Sequence, residues 1–244
     1  MPVKYVYGVV RPSGSLPSRA GIGDAPLELV TSNAVAALVS SAPEAELTMG
    51  RDAMTTHARV LEETHALGTV LPMRFGVLMS EAEVARELLE PHEQELAAQL
   101  TEFDGKAELK LRASYEEEPL LREVLAEDQD IARLRDSLRG APDDATYYGR
   151  IQLGELVAAA MQRKRETDAE RILDALGPLA LAVDVAPPPH ERIVLSASFL
   201  VGQSQIDAFD AAVDNIGRDQ AERMRLKYTG PLPPHSFVTL AQEA

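Results

Sequence analysis

The spacing of apolar residues divides the chain into strands and helices before any chemistry is considered. Lys4–Val10 is an apolar run and reads as a strand, followed by a Pro-, Ser- and Gly-containing loop from Arg11 to Asp24. Its apolar stretch ends at Arg11-Pro12 without a small-residue cleavage site, so a strand is favoured over a signal peptide. Leu27–Val30 and Val35–Val39 read as two short strands. Met54, Ala58, Leu61 and His65 recur at helical spacing and predict a helix over 52–66, stopped by Gly68. Val70–Gly76 reads as a buried strand and turn. Ser80 and Glu83 form a capping-box pattern that opens the next helix, which Pro91 must break or kink.

From Gly105 to Tyr115 the chain alternates. Ala107, Leu109, Leu111 and Ala113 point one way, and Lys106, Glu108, Lys110 and Arg112 the other, which predicts a strand with one wet face. Short helices are expected over 119–126 and 130–138, and a long one from Tyr147 to Leu176. Ala180–Val185 and Arg192–Val201 read as strands around Pro187-Pro188-Pro189-His190. Ser204 and Asp207 predict the cap of a last helix, with Ile206, Phe209, Val213 and Ile216 on its apolar face and Gly217 at its end. Met224–Tyr228 is the final strand. The order strand, helices, strand, strand, helix, strand is that of a split βαβ, or ferredoxin-like, unit.

The fold class is therefore α+β in two domains. Residues 1–104 form an N-terminal α+β domain. Residues 105–244 form a ferredoxin-like domain with a helical insertion over 116–176 and a Pro-rich tail that docks back. Pro231, Pro233 and Pro234 stiffen that tail into an extended segment, and Phe237 and Val238 give it something to bury. Docking is expected to join the two domains.

Composition narrows the function. The 244 residues are 45% hydrophobic and carry 24 basic against 39 acidic groups, a net charge of −15. Such a surface repels phosphate backbones and anionic lipid, so neither nucleic acid nor a membrane is expected as partner. No run approaches the ~18 apolar residues of a membrane span. The absence of cysteine excludes disulfides, zinc–thiolate sites, iron–sulfur clusters and a cysteine nucleophile, and fits a cytosolic protein.

Candidate chemistry is sparse. His57 and His65 lie two helical turns apart, ~12 Å, too far to share a metal, and are expected to be packed and hydrogen-bonded. Gly21-x-Gly23 lacks the third glycine of a phosphate loop and reads as a mobile loop. Glu116-Glu117-Glu118 has no calcium-loop pattern, no Gly-x-Ser-x-Gly elbow occurs, and Arg163-Lys164-Arg165 reads as a solvated face or as interdomain ion pairs. Arg74 stands beside an apolar strand, so a carboxylate or carbonyl partner is expected. No catalytic, cofactor or metal residue is assigned.

Four blocks carry a family resemblance: Tyr5-Val-Tyr-Gly-Val9; His57 through Leu71-Pro-Met-Arg-Phe-Gly76; Gly105-Lys-Ala-Glu-Leu-Lys-Leu111; and Tyr228-Thr-Gly-Pro-Leu-Pro-Pro-His-Ser-Phe-Val238. In this order the chain resembles the gas vesicle protein F/L family over nearly its whole length. The family's tail reads Gly-Pro-Trp-Pro-Pro-Tyr-Ser-Phe; here Leu232 and His235 stand at the two aromatic positions. The resemblance implies two α+β domains and a structural role for Arg74, Phe75, Gly76, Pro231, Pro234 and Phe237. It also implies a non-enzymatic assembly factor or minor component of the gas vesicle. Its partners would be the small, hydrophobic main shell protein and other gas vesicle accessory proteins, in the cytoplasm and on the vesicle. The rival reading is an enzyme or ligand-binding protein on a ferredoxin-like scaffold, which would present a concave site with converging polar groups.

Overall fold

A run of small, aromatic and β-branched residues makes β1 (Val3–Val10) the central strand of the first sheet, buried from Lys4 onward. The computed structural model describes residues 3–42, 50–140 and 142–239. β2 (Leu27–Thr31) and β3 (Ala36–Ser41) extend the sheet on one side of β1. On its other side β4 (Val70–Pro72) runs beside Gly8–Val10, and β5 (Leu78–Ser80), which has no clear sequence signal, beside Val3–Tyr5. The pairing register of β1 with β3 shifts between Val6 and Gly8. Strand residues alternate faces, so the irregularity resets the parity. Tyr5, Tyr7 and Val10 share one face with Val60 and Leu61, whereas Val6 and Val9 share the other with Leu89, Leu96 and Leu100.

α1 (Arg51–Leu67) covers the tyrosine face. Its buried residues are His57, Val60, Leu61 and Thr64, not the expected Met54–Ala58–Leu61–His65 stripe; Met54 and Ala58 are exposed. Two polar groups can be buried here because each has a partner. The Thr64 hydroxyl donates to the Val60 carbonyl at 2.6 Å, and His57 meets Tyr5. The other face is covered by a helical run that opens with the expected capping box. Ser80 Oγ accepts from the Glu83 N–H, and Glu83 Oε2 accepts from the Ser80 N–H at 2.6 Å. One α-turn, α2 (Glu81–Glu83), passes into a π-helical stretch (Val84–Leu89). Pro91 sits in a 3₁₀ turn (Glu90–His92), after which α3 (Glu93–Glu102) continues.

The second sheet contains β6 (Lys106–Tyr115), β7 (Ala182–Val185), β8 (Ile193–Gly202) and β9 (Met224–Leu232), in the spatial order β7–β8–β6–β9. Taken in chain order this is the antiparallel ferredoxin-like arrangement. Three helices fill the first crossover, α4 (Glu117–Glu127), α5 (Gln129–Leu138) and α6 (Asp143–Leu176), and α7 (Ile206–Asp219) fills the second. The chain forms two compact units. One contains the residues up to Leu109, Leu200–Gln203 and the residues from Gly230 on; the other contains Lys110–Phe199 and Ser204–Thr229. No helix among the described residues is long and apolar enough to cross a membrane.

Four local expectations are corrected. Glu108, placed on the wet face of β6 by alternation, is fully buried, because the Ser236 N–H and hydroxyl each donate to its carboxylate at 2.7 Å. α7 has no side-chain cap from Ser204 or Asp207; a 3₁₀ turn over Gln203–Gln205 leads into it instead. It also runs past Gly217 to Asp219, since Gly217 packs near Leu226 within the helix rather than turning the chain. Finally, β9 continues through Gly230-Pro231 to Leu232.

β4 leaves no room for a side chain at Gly8, where a Cβ would lie 2.6 Å from the Leu71 carbonyl oxygen and 2.9 Å from Val70 Cγ2. Gly8→Ala is expected to lower the unfolding free energy by about 1–3 kcal/mol, the usual cost of overpacking, as read from urea denaturation.

Candidate functional site

The Met73–Gly76 segment is held by residues from two other elements. Tyr5 and Tyr7, both fully buried on β1, cannot leave their hydroxyls unpaired. The Tyr5 hydroxyl accepts the Gly76 N–H at 3.0 Å and lies 3.0 Å from His57 Nδ1 on α1. His57 also hydrogen-bonds the Met73 backbone, so a neutral imidazole can donate to that carbonyl while accepting from Tyr5. Burial holds the His57 pKa down to about 4 and pushes Tyr5 up to about 12. The His57 ring stacks on Tyr7 and meets Phe75 edge-on, both at 5.7 Å between ring centroids.

The second tyrosine closes the loop that follows β1. Its hydroxyl accepts the Ile22 N–H at 2.7 Å and lies 3.0 Å from Ser40 Oγ. Gly21 is required there, since a Cβ would run into the Tyr7 hydroxyl and sit 3.0 Å from Ser40 Cβ. Gly21-x-Gly23 is thus a packed turn, with Gly21 and Ile22 buried, rather than a mobile loop. His65 is shielded as well, and burial lowers its pKa, but its Nδ1 has no hydrogen-bond partner among the described residues.

Arg74 departs from expectation. Its side chain is exposed and makes no hydrogen bond or ion pair among the described residues. The strand ends at Pro72 and the chain turns at Phe75-Gly76, where Gly76 adopts φ 96°; Arg74 stands in the irregular stretch between, exposed. Phe75 and Gly76 remain half-buried.

The C-terminal residues gather on Gln99 and Glu108. Gly230 sits against β6 at φ 152°, where a Cβ would lie 2.6 Å from Leu109 Cδ2. Pro231 is exposed, whereas Pro233 and Pro234 are buried. The segment is not extended throughout. The Phe237 and Val238 N–H groups donate to the Pro234 carbonyl, a turn that sets both side chains against the core built on Val6, Val9 and Leu100. Gln99 Nε2 donates to the Thr239 carbonyl at 2.7 Å, and the Thr239 N–H returns a bond to Gln99 Oε1 at 3.1 Å.

The second unit holds a polar cluster that sequence reasoning missed, because its members are 53 and 55 residues apart. Asp168 on α6 is buried. It accepts the Tyr115 hydroxyl at 2.6 Å and both ends of the Arg223 guanidinium, at 2.7 and 3.2 Å. Arg223 also pairs with Glu123 at 3.0 Å. Burial, then the Asp168 bond, pushes the Tyr115 pKa up. Lys164 bridges Glu123 and Glu127 at 2.7 and 2.8 Å and Arg163 reaches Asp128, so these two members of the basic triplet tie α6 to α4 and to the start of α5, while Arg165 bonds Gln162 within α6. An open concavity of about 680 Å³ lies beside these helices. Its lining cations Arg133, Arg163, Lys164 and Arg171 are each paired with a carboxylate. No cluster of three or more His, Asp or Glu among the described residues could hold a metal ion.

Two tests follow from these networks. Folded His57 resists protonation, so between its folded value of about 4 and the ordinary 6.5 the unfolded chain binds more protons. Its contribution is complete above about pH 6.5 and is lost as the pH falls toward 4, by at most about 3 kcal/mol. Urea unfolding of His57→Gln should show a correspondingly smaller loss between pH 7 and pH 4.5 than the unsubstituted protein. Separately, Asp168→Asn leaves the Arg223 charge only partly compensated and is expected to cost about 3–5 kcal/mol, measured at neutral pH.

The comparisons with known proteins agree on one family. The family model described as "Gas vesicle synthesis protein GvpL/GvpF" matches residues 3–239. The chain is 40% identical to gas vesicle protein F of Streptomyces sp. (strain CB03234), over 96% of this chain and 98% of that one. It is 26% identical to gas vesicle protein L of the same strain, over 99% and 94% of the two chains. The crystal structure of GvpF from Anabaena sp. PCC7120 superposes with a TM-score of 0.85 at 24% identity, covering 99% of this chain and all of that one. That of Microcystis aeruginosa superposes at 0.78 and 21% identity, over 98% and 100%. On this whole-length agreement in sequence and fold, the chain belongs to the GvpL/GvpF family of gas vesicle synthesis proteins.

Proposed function

We propose that this protein is a non-enzymatic accessory factor of gas vesicle formation. In this reading it binds the hydrophobic main shell protein, assists its assembly, and acts in the cytoplasm and at the vesicle as an assembly factor or minor component, alongside other accessory proteins. The observation that carries the reading is the match to the gas vesicle synthesis family over residues 3–239. Chemistry of the described residues supports it. The concavity of the second unit is lined by mutually neutralised ion pairs, and the perturbed groups His57, Tyr5 and Tyr115 are engaged in packing networks. A surface of net charge −15 is suited to keeping an aggregation-prone apolar partner dispersed.

Within this proposal, residues 1–104 and 105–244 act as two domains, and the Pro-rich segment is a fastening of the fold rather than a free recognition tail. Phe75, Gly76, Pro231, Pro234 and Phe237 serve that architecture. Arg74, exposed and unpaired among the described residues, is available to a partner.

The test is a binding measurement between the purified chain and the purified main shell protein, with no other accessory protein present. A stoichiometric complex, and shell protein retained in the supernatant, is expected. Association that appears only when further accessory proteins are added would replace direct binding by a bridging role.

A further inference from the structure

The second sheet ends on two unlike edges. β9 carries Arg225 and Lys227, and Arg225 is paired with Glu116 at 2.9 Å, so charge guards that edge. β7 has only Asp184 as a charged residue, and all four of its residues are exposed. Leu181, Val183 and Val185 alternate onto one face and are 62%, 39% and 49% exposed. They form a short apolar stripe along an open strand.

The direction of the backbone groups follows from one bond. The Ala186 N–H donates to the Ser196 carbonyl of β8 at 2.9 Å. Extended residues alternate, so Ala182 and Asp184 also turn their N–H and C=O toward β8, while Val183 and Val185 turn theirs outward. β7 is the terminal strand of the sheet, so among the described residues no further strand pairs with those outward groups. Pro187, Pro188 and Pro189 end the edge, since none has an N–H to offer.

We propose that β7 is a docking edge to which an extended apolar segment of the shell protein adds as a further strand. This rests on the function proposed above and assigns it a surface. The chemistry of the edge specifies the occupant. Unpaired N–H and C=O groups call for another extended backbone, and the Leu181–Val183–Val185 stripe calls for aliphatic side chains at alternate positions. Asp184 and the net charge of −15 disfavour an acidic strand. They also disfavour a second copy of this chain, because the antiparallel pairing that engages Val183 and Val185 of both copies sets the two Asp184 side chains directly opposite.

Val183→Pro and Val185→Pro each delete one outward N–H while sparing the bonds to β8, a position where an edge strand tolerates proline. Val183→Lys leaves the backbone intact and spoils the apolar stripe. Each variant, checked for an unchanged melting curve, is expected to bind the purified shell protein at least tenfold more weakly than the unsubstituted chain. Amide exchange followed by NMR gives a readout independent of the variants. The Val183 and Val185 amides should exchange fast in the free protein and at least tenfold more slowly in the complex, with Asp184 slow in both. Full-strength binding by all three variants, or unchanged exchange at Val183 and Val185 in the complex, overturns the docking edge and leaves the proposed function standing. Protection that grows with the concentration of this chain alone overturns it in favour of self-pairing. Failure of the unsubstituted chain to bind overturns both.

Discussion

Two tyrosine hydroxyls buried on one strand set the terms for the first unit. β1 is paired on both sides and covered on both faces, so every polar atom on it must find a partner within the protein. Tyr5 and Tyr7 solve this by reaching out of the sheet, one to His57 and Gly76, the other to Ile22 and Ser40. Each of those bonds positions a segment that has little regular structure of its own. The loop after β1 is pinned at Gly21-Ile22, and the turn after β4 is pinned at Met73–Gly76. The irregularity at Val6–Gly8 belongs to the same solution, since it puts Val10 on the face of the two tyrosines and leaves Val6 and Val9 for the other core.

The second unit solves the same problem with charge. A ferredoxin-like sheet ordinarily packs its crossover helices by apolar contact, but here the first crossover is expanded to three helices. Asp168 is carried into the interior by α6, where a bidentate Arg223 and the Tyr115 hydroxyl compensate it. Arg223 and Lys164 share Glu123, so one network joins α4, α6, β6 and the approach to β9. Such a network contributes less net stability than its bonds suggest, because ion burial is costly. It does make the packing specific, since removing Asp168 or Arg223 leaves the other's charge undercompensated.

These two arrangements place the titrating groups His57 and Tyr115 within packing networks. Perturbed pKa values cluster at active sites, yet structural networks perturb them as well. Here His57 is lowered by desolvation among Tyr5, Tyr7 and Phe75, and Tyr115 is raised by burial and its bond to a buried carboxylate. The recognition proposed at β7, by backbone and apolar side chain, needs no reactive group.

Local signals in the sequence were sufficient wherever a feature is decided by neighbours in the chain. The Ser80–Glu83 box, the Pro91 interruption, the β6 alternation of Ala107, Leu109, Leu111 and Ala113, and the strand–helix order of the ferredoxin-like unit all depend on contacts or φ restrictions within a few residues. Features decided by distant residues were not legible. Glu108 is buried because Ser236 arrives 128 residues later to satisfy it, and Asp168 because Arg223 arrives 55 residues later. Arg74 could be read as a charge in need of a partner only until its place between the end of β4 and the turn at Phe75-Gly76 was seen to leave it exposed. The buried stripe of α1 follows the partners available to Thr64 and His57, which hydrophobicity along the helix does not record. The sequence by itself determined which segments become strands and helices, because propensity, capping and periodicity act over one or two turns. Which polar groups may be buried was decided only by the tertiary structure, because desolvation is tolerated only where folding delivers a hydrogen-bond partner from far along the chain.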